Sequence, residues 1–469
     1  MNDQRLGRRS FLKGALVGVP VAWEGRWPLG EVPLGERLYA CEEVYGTCNV
    51  KKLGAIGDGR SHPLSERYST LRRAKVDYPV AESLSDEIDW AVIQTAVERC
   101  DGVFLPPGTY VLGTNTVRLD GRKQLLGAGM TSVTLLYEGN DVAVWVNSGR
   151  GISTSSWAVR NLTIDCQNTG PYALRIGHQL AARPVSANIG LAESLLITGA
   201  TEAGLHLEAS QANEFINVHC SENSGDGCRI AVSNSRNTDT HFYKCNFLKN
   251  GKYGFYANQG NVITFSGCLF QDNGWEGLRL EKKLREAGIT SANWIFDRCW
   301  FHTNNLCRNA RYQPLHIFID SEVDAIWKNI ELRHCVFQFR GARRLIKAGQ
   351  CQLRIWYPYF GSKLGMDTGS PSDSITIWSE KPVTTWDLKG SESKVVFYRT
   401  DNADGYSNQI YMNQGGSWFL VTRFSPNGIF TQANIEVGDS SQGLILTSPG
   451  GFRYRLTVDD AGNLTTTAV

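Results

Sequence analysis

Five cysteines, Cys220, Cys245, Cys268, Cys299 and Cys335, recur at intervals of 25, 23, 31 and 36 residues. Periods of ~20–50 residues are the signature of a solenoid, in which each repeat is one turn of the chain. Four of the five share a frame. Phe242, Phe265, Phe296 and Leu332 lie three residues before the cysteine, and Phe247, Phe270, Phe301 and Phe337 two residues after it. Asn250, Asn273 and Asn304 follow five residues after, where stacked side chains would hydrogen-bond from coil to coil. The Cys220 turn departs from this frame, with Asn217 and Glu222 in the aromatic slots. Residues recurring at one slot per coil stack about 4.8 Å apart, the strand spacing. Such a column is interior, so these cysteines are expected to be core thiols rather than metal ligands. The expected class is all-β, a parallel solenoid.

Composition agrees with strands and tight turns: 48 Gly and 49 aromatic residues (13 Trp, 17 Tyr, 19 Phe) against only 15 Pro. Forty-eight basic against 46 acidic residues leave a net charge of +2, too balanced for a nucleic-acid or anionic-membrane binder. No apolar run is long enough to insert into a membrane. Of the 12 cysteines, only Cys41 and Cys48, outside the repeats, are expected to form a bridge. Ile88, Ala91, Val92, Ala96 and Val97 give one apolar side to a helix whose N-cap would be Ser85. A single amphipathic helix ahead of a strand-rich chain suits a cap over the open end of a solenoid, where a bare sheet edge would invite aggregation.

Two local patterns add resemblances. Arg8-Arg9-Ser10-Phe11-Leu12-Lys13 resembles a twin-arginine export signal, and residues 1–48 are read as a leader and N-terminal segment. From Lys51 to Gly349, the Gly57-Asp58-Gly59 turn, the helix around Ala91–Gln94 and the strand Leu105-Pro106-Pro107-Gly108-Thr109-Tyr110 resemble the pectate-lyase-like, glycosyl hydrolase family 28-related β-helix superfamily. Leu125-Leu126-Gly127-Ala128-Gly129 fits that family's next turn. The insert carrying His62–Tyr68 and Glu87–Trp90 is similar to that of bacteriophage tailspike depolymerases. The resemblance implies a right-handed parallel β-helix acting on polysaccharide, often as a homotrimer. The β-helix is expected over 49–360, followed by a Gly/Ser/Asp-rich linker. A β-rich module over 374–469 would serve trimerisation or carbohydrate binding. The protein would be extracellular, either exported by the leader or carried on a phage tail.

The strands after each Asn alternate in and out. The outward column reads His206, Arg229, Tyr256, Arg279 and His316, flanked by Glu208, Asn258, Glu281 and Asp320. Asp226, Tyr253 and Glu276 stand just before the strands. Polar outward positions are ordinary in any sheet, and an Arg–Glu ladder contributes under ~1 kcal/mol. The mixture on one face is what points to a glycan site. Asp226 and Glu276 fall in equivalent slots two coils apart, about 9.6 Å at the backbone. That matches the ~6.5–9.5 Å of an inverting glycosidase pair, so Asp226, Glu276 and Tyr256 are the catalytic candidates. His206, Glu208, Arg229, Arg279, Glu281, His316 and Asp320 are the substrate-binding candidates. Elimination on a uronate is the alternative chemistry, with Tyr256 as base between Arg229 and Arg279. A glycan-binding adhesin without activity is the alternative class. Polygalacturonase signatures are missing beyond a chance-like Asn237-Thr238-Asp239. No dense acidic cluster beyond Asp320, Glu322 and Asp324 suggests calcium, so neither metal nor cofactor is expected.

Overall fold

The computed structural model describes residues 46–356 except for 148–153, 180–183, 232–236, 283–290, 305, 307–315, 322–326, 339–345 and 349–350, and beyond 356 it describes mainly strand backbones. The chain winds as a parallel β-helix. Strands Val117–Leu119, Val142–Val146, Tyr172–Ile176, Ala203–Leu207, Asp226–Ile230, Phe255–Ala257, Leu278–Lys282 and Ile317–Ser321 pair in parallel, one per coil, and form the face that carries most of the candidate residues. The other strands of each coil belong to a second, larger ladder.

The interior is built from the columns that the repeat implies. Phe215, Phe242, Phe265 and Phe296 stack with ring centroids 4.7, 4.7 and 4.6 Å apart, one strand spacing each. Phe247, Phe270 and Phe301 do the same at 5.0 and 4.7 Å. Cys245, Cys268, Cys299 and Cys335 are buried free thiols. Each donates to a carbonyl of the preceding coil, as Cys245 does to Phe215 at 3.3 Å and Cys268 to Phe242 at 3.4 Å. The odd turn at Cys220 has a simple explanation. Cys220 pairs with Phe247 and so occupies the aromatic slot, which makes Asn223 its asparagine. Asn223, Asn250, Asn273 and Asn304 then form one buried ladder, Nδ2 to Oδ1, at 3.0, 2.9 and 2.8 Å. Every coil turns the corner before this ladder through a left-handed residue: Glu222, Lys249, Asp272 and Thr303 have φ of 58°, 51°, 53° and 46°. On the inner side, Gly227 and Gly254 leave room for the ladder, since a Cβ there would sit 2.6 and 2.7 Å from an asparagine Nδ2.

The cap is the helix Ile88–Arg99, whose residues from Ile88 to Val97 are all buried. Its N-cap residue is Glu87, without a side-chain cap bond, and not Ser85, whose hydroxyl meets that of Ser83 at 2.7 Å. Asp89 instead ties the helix to the Gly57 turn, accepting from the amides of Ile56 (2.6 Å), Gly57 (3.0 Å) and Val111 (3.3 Å). The expected Cys41–Cys48 bridge is corrected: Cys48 pairs with Cys100, just past the helix, and Cys41 lies outside the described residues. Proximity along the chain misled here, because closing the first coil brings Cys100 beside Cys48.

The ladder also runs past residue 360. Ile346–Ala348 pairs in parallel with Ile377–Trp378, and Cys351–Trp356 with Thr385–Lys389, so the first strands beyond the expected linker extend the solenoid. From Tyr398 to Thr431 four strands continue as an antiparallel meander. At the tail Leu444–Thr447 pairs antiparallel with Arg453–Val458, and Leu464–Ala468 adds to that hairpin. The sequence also predicts a strand over 434–437, which lies outside the described residues. No helix among the described residues is long and apolar enough to cross a membrane.

Candidate functional site

The pairing registers line up one outward residue per coil: Arg118, Trp145, Arg175, His206, Arg229, Tyr256, Arg279 and Phe318. Guanidinium and ring alternate without a break. The planes pack on each other, with Arg175 4.3 Å from the Trp145 ring centre, Arg229 5.8 Å from that of Tyr256 and Arg279 4.0 Å from that of Phe318. Such contacts are attractive because the ring face carries negative potential. They also hide much of the column: Trp145, His206, Arg279 and Phe318 are buried, and Arg118, Arg175, Arg229 and Tyr256 half-buried.

His316 is not in this column. Leu278 N–H donates to the His316 carbonyl, which places His316 beside Gly277, one residue before its strand, and Phe318 takes the outward slot. His316 is buried where Asn304 Nδ2 meets its Nδ1 at 3.1 Å, as a terminus of the asparagine ladder. Burial, with a smaller effect of His302, pulls its pKa down to about 3. It therefore belongs to the core, not to a substrate face.

Asp226, Tyr253 and Glu276 do occupy one slot in three successive coils, as Cys228–Phe255 and Phe255–Leu278 pairing requires. They are less exposed than an outward strand position suggests. Asp226 is 0% and Glu276 2% exposed. Both Asp226 oxygens are engaged, Oδ2 by Arg229 Nε at 2.8 Å and Oδ1 by the Tyr253 amide at 3.4 Å. Burial pushes the Asp226 carboxyl above its ordinary range, against the pull of Arg229. Tyr253 lies between the two acids in the ladder, stacked on Tyr256 (5.2 Å) and edge-on to Trp275 (4.9 Å).

Two polar clusters emerge along the face. At one, Arg279 holds two carboxylates on opposite edges of its guanidinium. Glu281 accepts from Nη2 at 2.8 Å and Nε at 3.2 Å, and Glu276 lies 3.7 Å from Nη1. Tyr256 donates to Glu281 at 3.3 Å, and Asn258 donates to the Tyr256 hydroxyl at 2.8 Å. Glu281 pairs with Asp320 in the ladder, whose side chain lies outside the described residues, as do Glu322 and Asp324. At the other cluster, Glu208 accepts from Arg175 Nη2 (2.6 Å) and His206 Nε2 (3.1 Å). Burial would raise the Glu208 carboxyl, yet these two bonds hold it down at about 2. Burial pulls His206 below its usual pKa in spite of Glu208. Arg175, Trp145, Tyr172 and Glu202, which sequence reasoning missed, extend the face toward the N-terminus. Arg175 and Trp145 stand in the same outward slot in earlier coils and Tyr172 in the slot of Asp226, but those coils lack the Cys–Phe–Asn frame that set the register.

No group of three or more His, Cys, Asp or Glu residues arranged to hold a metal ion occurs among the described residues.

A family model described as a right-handed beta helix region matches residues 143–341. No curated protein matches the chain by sequence. Among solved structures, the Agl-KA catalytic domain is similar with a TM-score of 0.50 at 13% identity, over 74% of this chain and 66% of that one. The enzymatically active domain of tailspike protein 2 from bacteriophage CBA120 gives 0.49 at 10% identity, over 91% and 70%. The A-module of the Azotobacter vinelandii mannuronan C-5 epimerase AlgE4 gives 0.44 at 15%, over 73% and 99%. At these identities the likeness is one of fold: a right-handed parallel β-helix.

Proposed function

We propose that this right-handed β-helix is an extracellular polysaccharide depolymerase that cleaves a bacterial surface glycan internally by hydrolysis, on the face from Arg118 to Phe318. The observation that carries this reading is the pair of carboxylates gripped on opposite edges of Arg279. Glu276 and Glu281 both reach that guanidinium, Glu281 at 2.8 Å from Nη2 and Glu276 at 3.7 Å from Nη1, which brings together the two carboxyl groups that glycoside hydrolysis needs. Glu281 replaces Asp226 in the catalytic pair, because it reaches the same guanidinium as Glu276, whereas Asp226 is bonded to Arg229 in another coil and is 0% exposed. In the step, the protonated carboxyl of Glu276 gives its proton to the glycosidic oxygen as the anomeric C–O bond breaks. Glu281 takes a proton from the water whose oxygen bonds to the anomeric carbon. Tyr256 and Arg279 hold Glu281 in place, and the Tyr253–Trp275 pair offers half-buried ring surface for a sugar.

Elimination is the second reading, favoured by Tyr256 standing between Arg229 and Arg279 in the ladder. It ranks second because the cations beside Tyr256 are already matched, Arg229 by Asp226 and Glu202 and Arg279 by Glu281. A uronate would find little uncompensated positive charge. Purified protein incubated with a panel of capsular, exopolysaccharide and O-chain glycans should shorten at least one and create new reducing ends without ultraviolet-absorbing unsaturated sugars. Unsaturated products would establish elimination instead, and binding without shortening would make the protein an adhesin. Glu281→Gln keeps an acceptor for Arg279 and should fold, with some loss of stability because that buried guanidinium loses a charged partner, and should lose at least ~100-fold in rate, the usual worth of a general base.

A further inference from the structure

In the Arg175–His206 cluster the ionised Glu208 accepts from His206 Nε2, so that nitrogen carries the ring hydrogen and Nδ1 bears a lone pair. His206 Nδ1 is buried and has no hydrogen-bond partner. In the neighbouring coil Arg175 Nε–H is likewise buried with no partner, although Nη2 of the same guanidinium is engaged by Glu208. One orphan is an acceptor and the other a donor, they adjoin in one column, and both residues grip the same carboxylate. Native structures leave few such groups unmatched, since each costs as much as a lost hydrogen bond. A hydroxyl satisfies both at once, accepting from Nε–H and donating to Nδ1. The surroundings suit a sugar: the Tyr172 ring lies 4.2 Å from that of His206, Trp145 backs Arg175, and His178 approaches its Nη2 at 3.4 Å.

We propose that Arg175 and His206 form a distal subsite that binds one hydroxyl of the glycan, a small movement of the Tyr172 ring opening it. The subsite rests on the depolymerase reading and extends it. His206 stands three coils from Glu281, about 14 Å along the solenoid axis. A pyranose in an extended chain advances by about one coil rise, so the bound hydroxyl belongs to a sugar some three units from the bond that is cut. The glycan therefore lies along the axis, and chains too short to span the interval gain nothing from the subsite.

Arg175→Lys keeps a cation for Glu208 and removes the Nε–H. His206→Gln keeps a polar group for Glu208 and removes the Nδ1 lone pair. Both variants, checked for wild-type thermal unfolding, are assayed on the polysaccharide that the wild type shortens and on fragments of it two sugars long. For the polymer, KM should rise ~10–100-fold, the worth of a hydrogen bond to a charged or buried partner, with kcat unchanged. For the fragments neither constant should move. A bound water would leave KM for both substrates unchanged, and that result overturns the subsite. Equal losses on both substrates also overturn it, since they mark a general disturbance. If one variant fails to fold, the other decides. Failure of the depolymerase reading shows separately, as a wild type that shortens no glycan; the variants are then compared by polymer dissociation constants, and an unchanged value overturns the subsite.

Discussion

Asn273 has all its bonding capacity filled. Its Oδ1 accepts from the Asn250 side chain and amide, and its Nδ2 donates to Asn304 Oδ1 and to the Phe247 carbonyl. Asn273→Ala strips partners from groups in two neighbouring coils and should cost about 3–5 kcal/mol, several orphaned groups at ~1–3 kcal/mol each. Urea denaturation measures this directly. A similar argument revises the cost of removing Asp226. At an exposed strand position Asp226→Asn would stay within ~0.5 kcal/mol. Asp226 is sealed against Arg229, so the substitution leaves a half-buried guanidinium with only the exposed Glu202 beside it. The loss should approach the ~3–5 kcal/mol of a broken buried pair, and the denaturation midpoint of Asp226→Asn should fall well below that of the wild type. The Cys48–Cys100 bridge closes a 52-residue separation, worth about 4 kcal/mol in the chain-entropy picture. Reductant should lower the melting temperature, and Cys48→Ser should abolish that sensitivity.

Whole strands and their corners respond to pH through the histidines they bury. His206 and His316 are held neutral by burial, so both bind protons more weakly folded than unfolded. Their contribution is complete above the unfolded pKa of ~6.5 and is lost as pH falls below it, for His316 down to about 3. Glu208, held at about 2, adds stability above the unfolded ~4.3 that is lost between there and 2. The histidine contribution to the unfolding free energy should thus decline from pH 7 to 4 and that of Glu208 below pH 4, while the raised carboxyl of Asp226 acts in the opposite direction. His316→Asn, which keeps an acceptor for Asn304, should flatten that decline by about one proton. The elements themselves were legible where periodicity carried them. The phenylalanine, cysteine and asparagine columns from Cys245 to Cys335 follow from spacing alone, because each slot recurs at the same offset from the cysteine. The Cys220 turn was not, since a cysteine stood in the aromatic slot and shifted the frame by two residues. His316 was misplaced for a related reason: its coil was aligned by residue type, whereas the hydrogen bond from Leu278 sets the register one position away. Burial of Asp226 and Glu276 was beyond reach, because it depends on Arg229 and Arg279, three residues on in the same coils, folding back over them.

At the scale of the molecule, we propose a homotrimer whose C-terminal strands supply the association. Light scattering of the full-length protein should report three times 52.0 kDa. The parallel ladder includes Thr385–Lys389, so a truncation meant to leave the solenoid intact belongs after Lys389 and not near 374. That shortened chain should be a monomer with unchanged far-ultraviolet β signal, whereas cutting at 374 should also lower the melting temperature by stripping the Cys351–Trp356 edge. A trimer persisting after the cut would move the association to the solenoid flank.

Alternation along the outward column gives the solenoid a parity. Excising residues 245–267 removes one turn and leaves the cysteine, phenylalanine and asparagine frame in step, yet it brings Arg229 against Arg279 where Tyr256 had separated them. Excising 245–298 removes two turns and sets Arg229 beside Phe318, an arrangement like that of Arg279 and Phe318 now. The shorter deletion should therefore be the more damaging one, with the lower melting temperature, since it sets two guanidinium groups, Arg229 half-buried and Arg279 buried, in adjoining coils with no ring between them. Turns from Cys245 to Cys335 share one interior frame but come in even and odd kinds on their surface, so deletion in pairs should be the better tolerated.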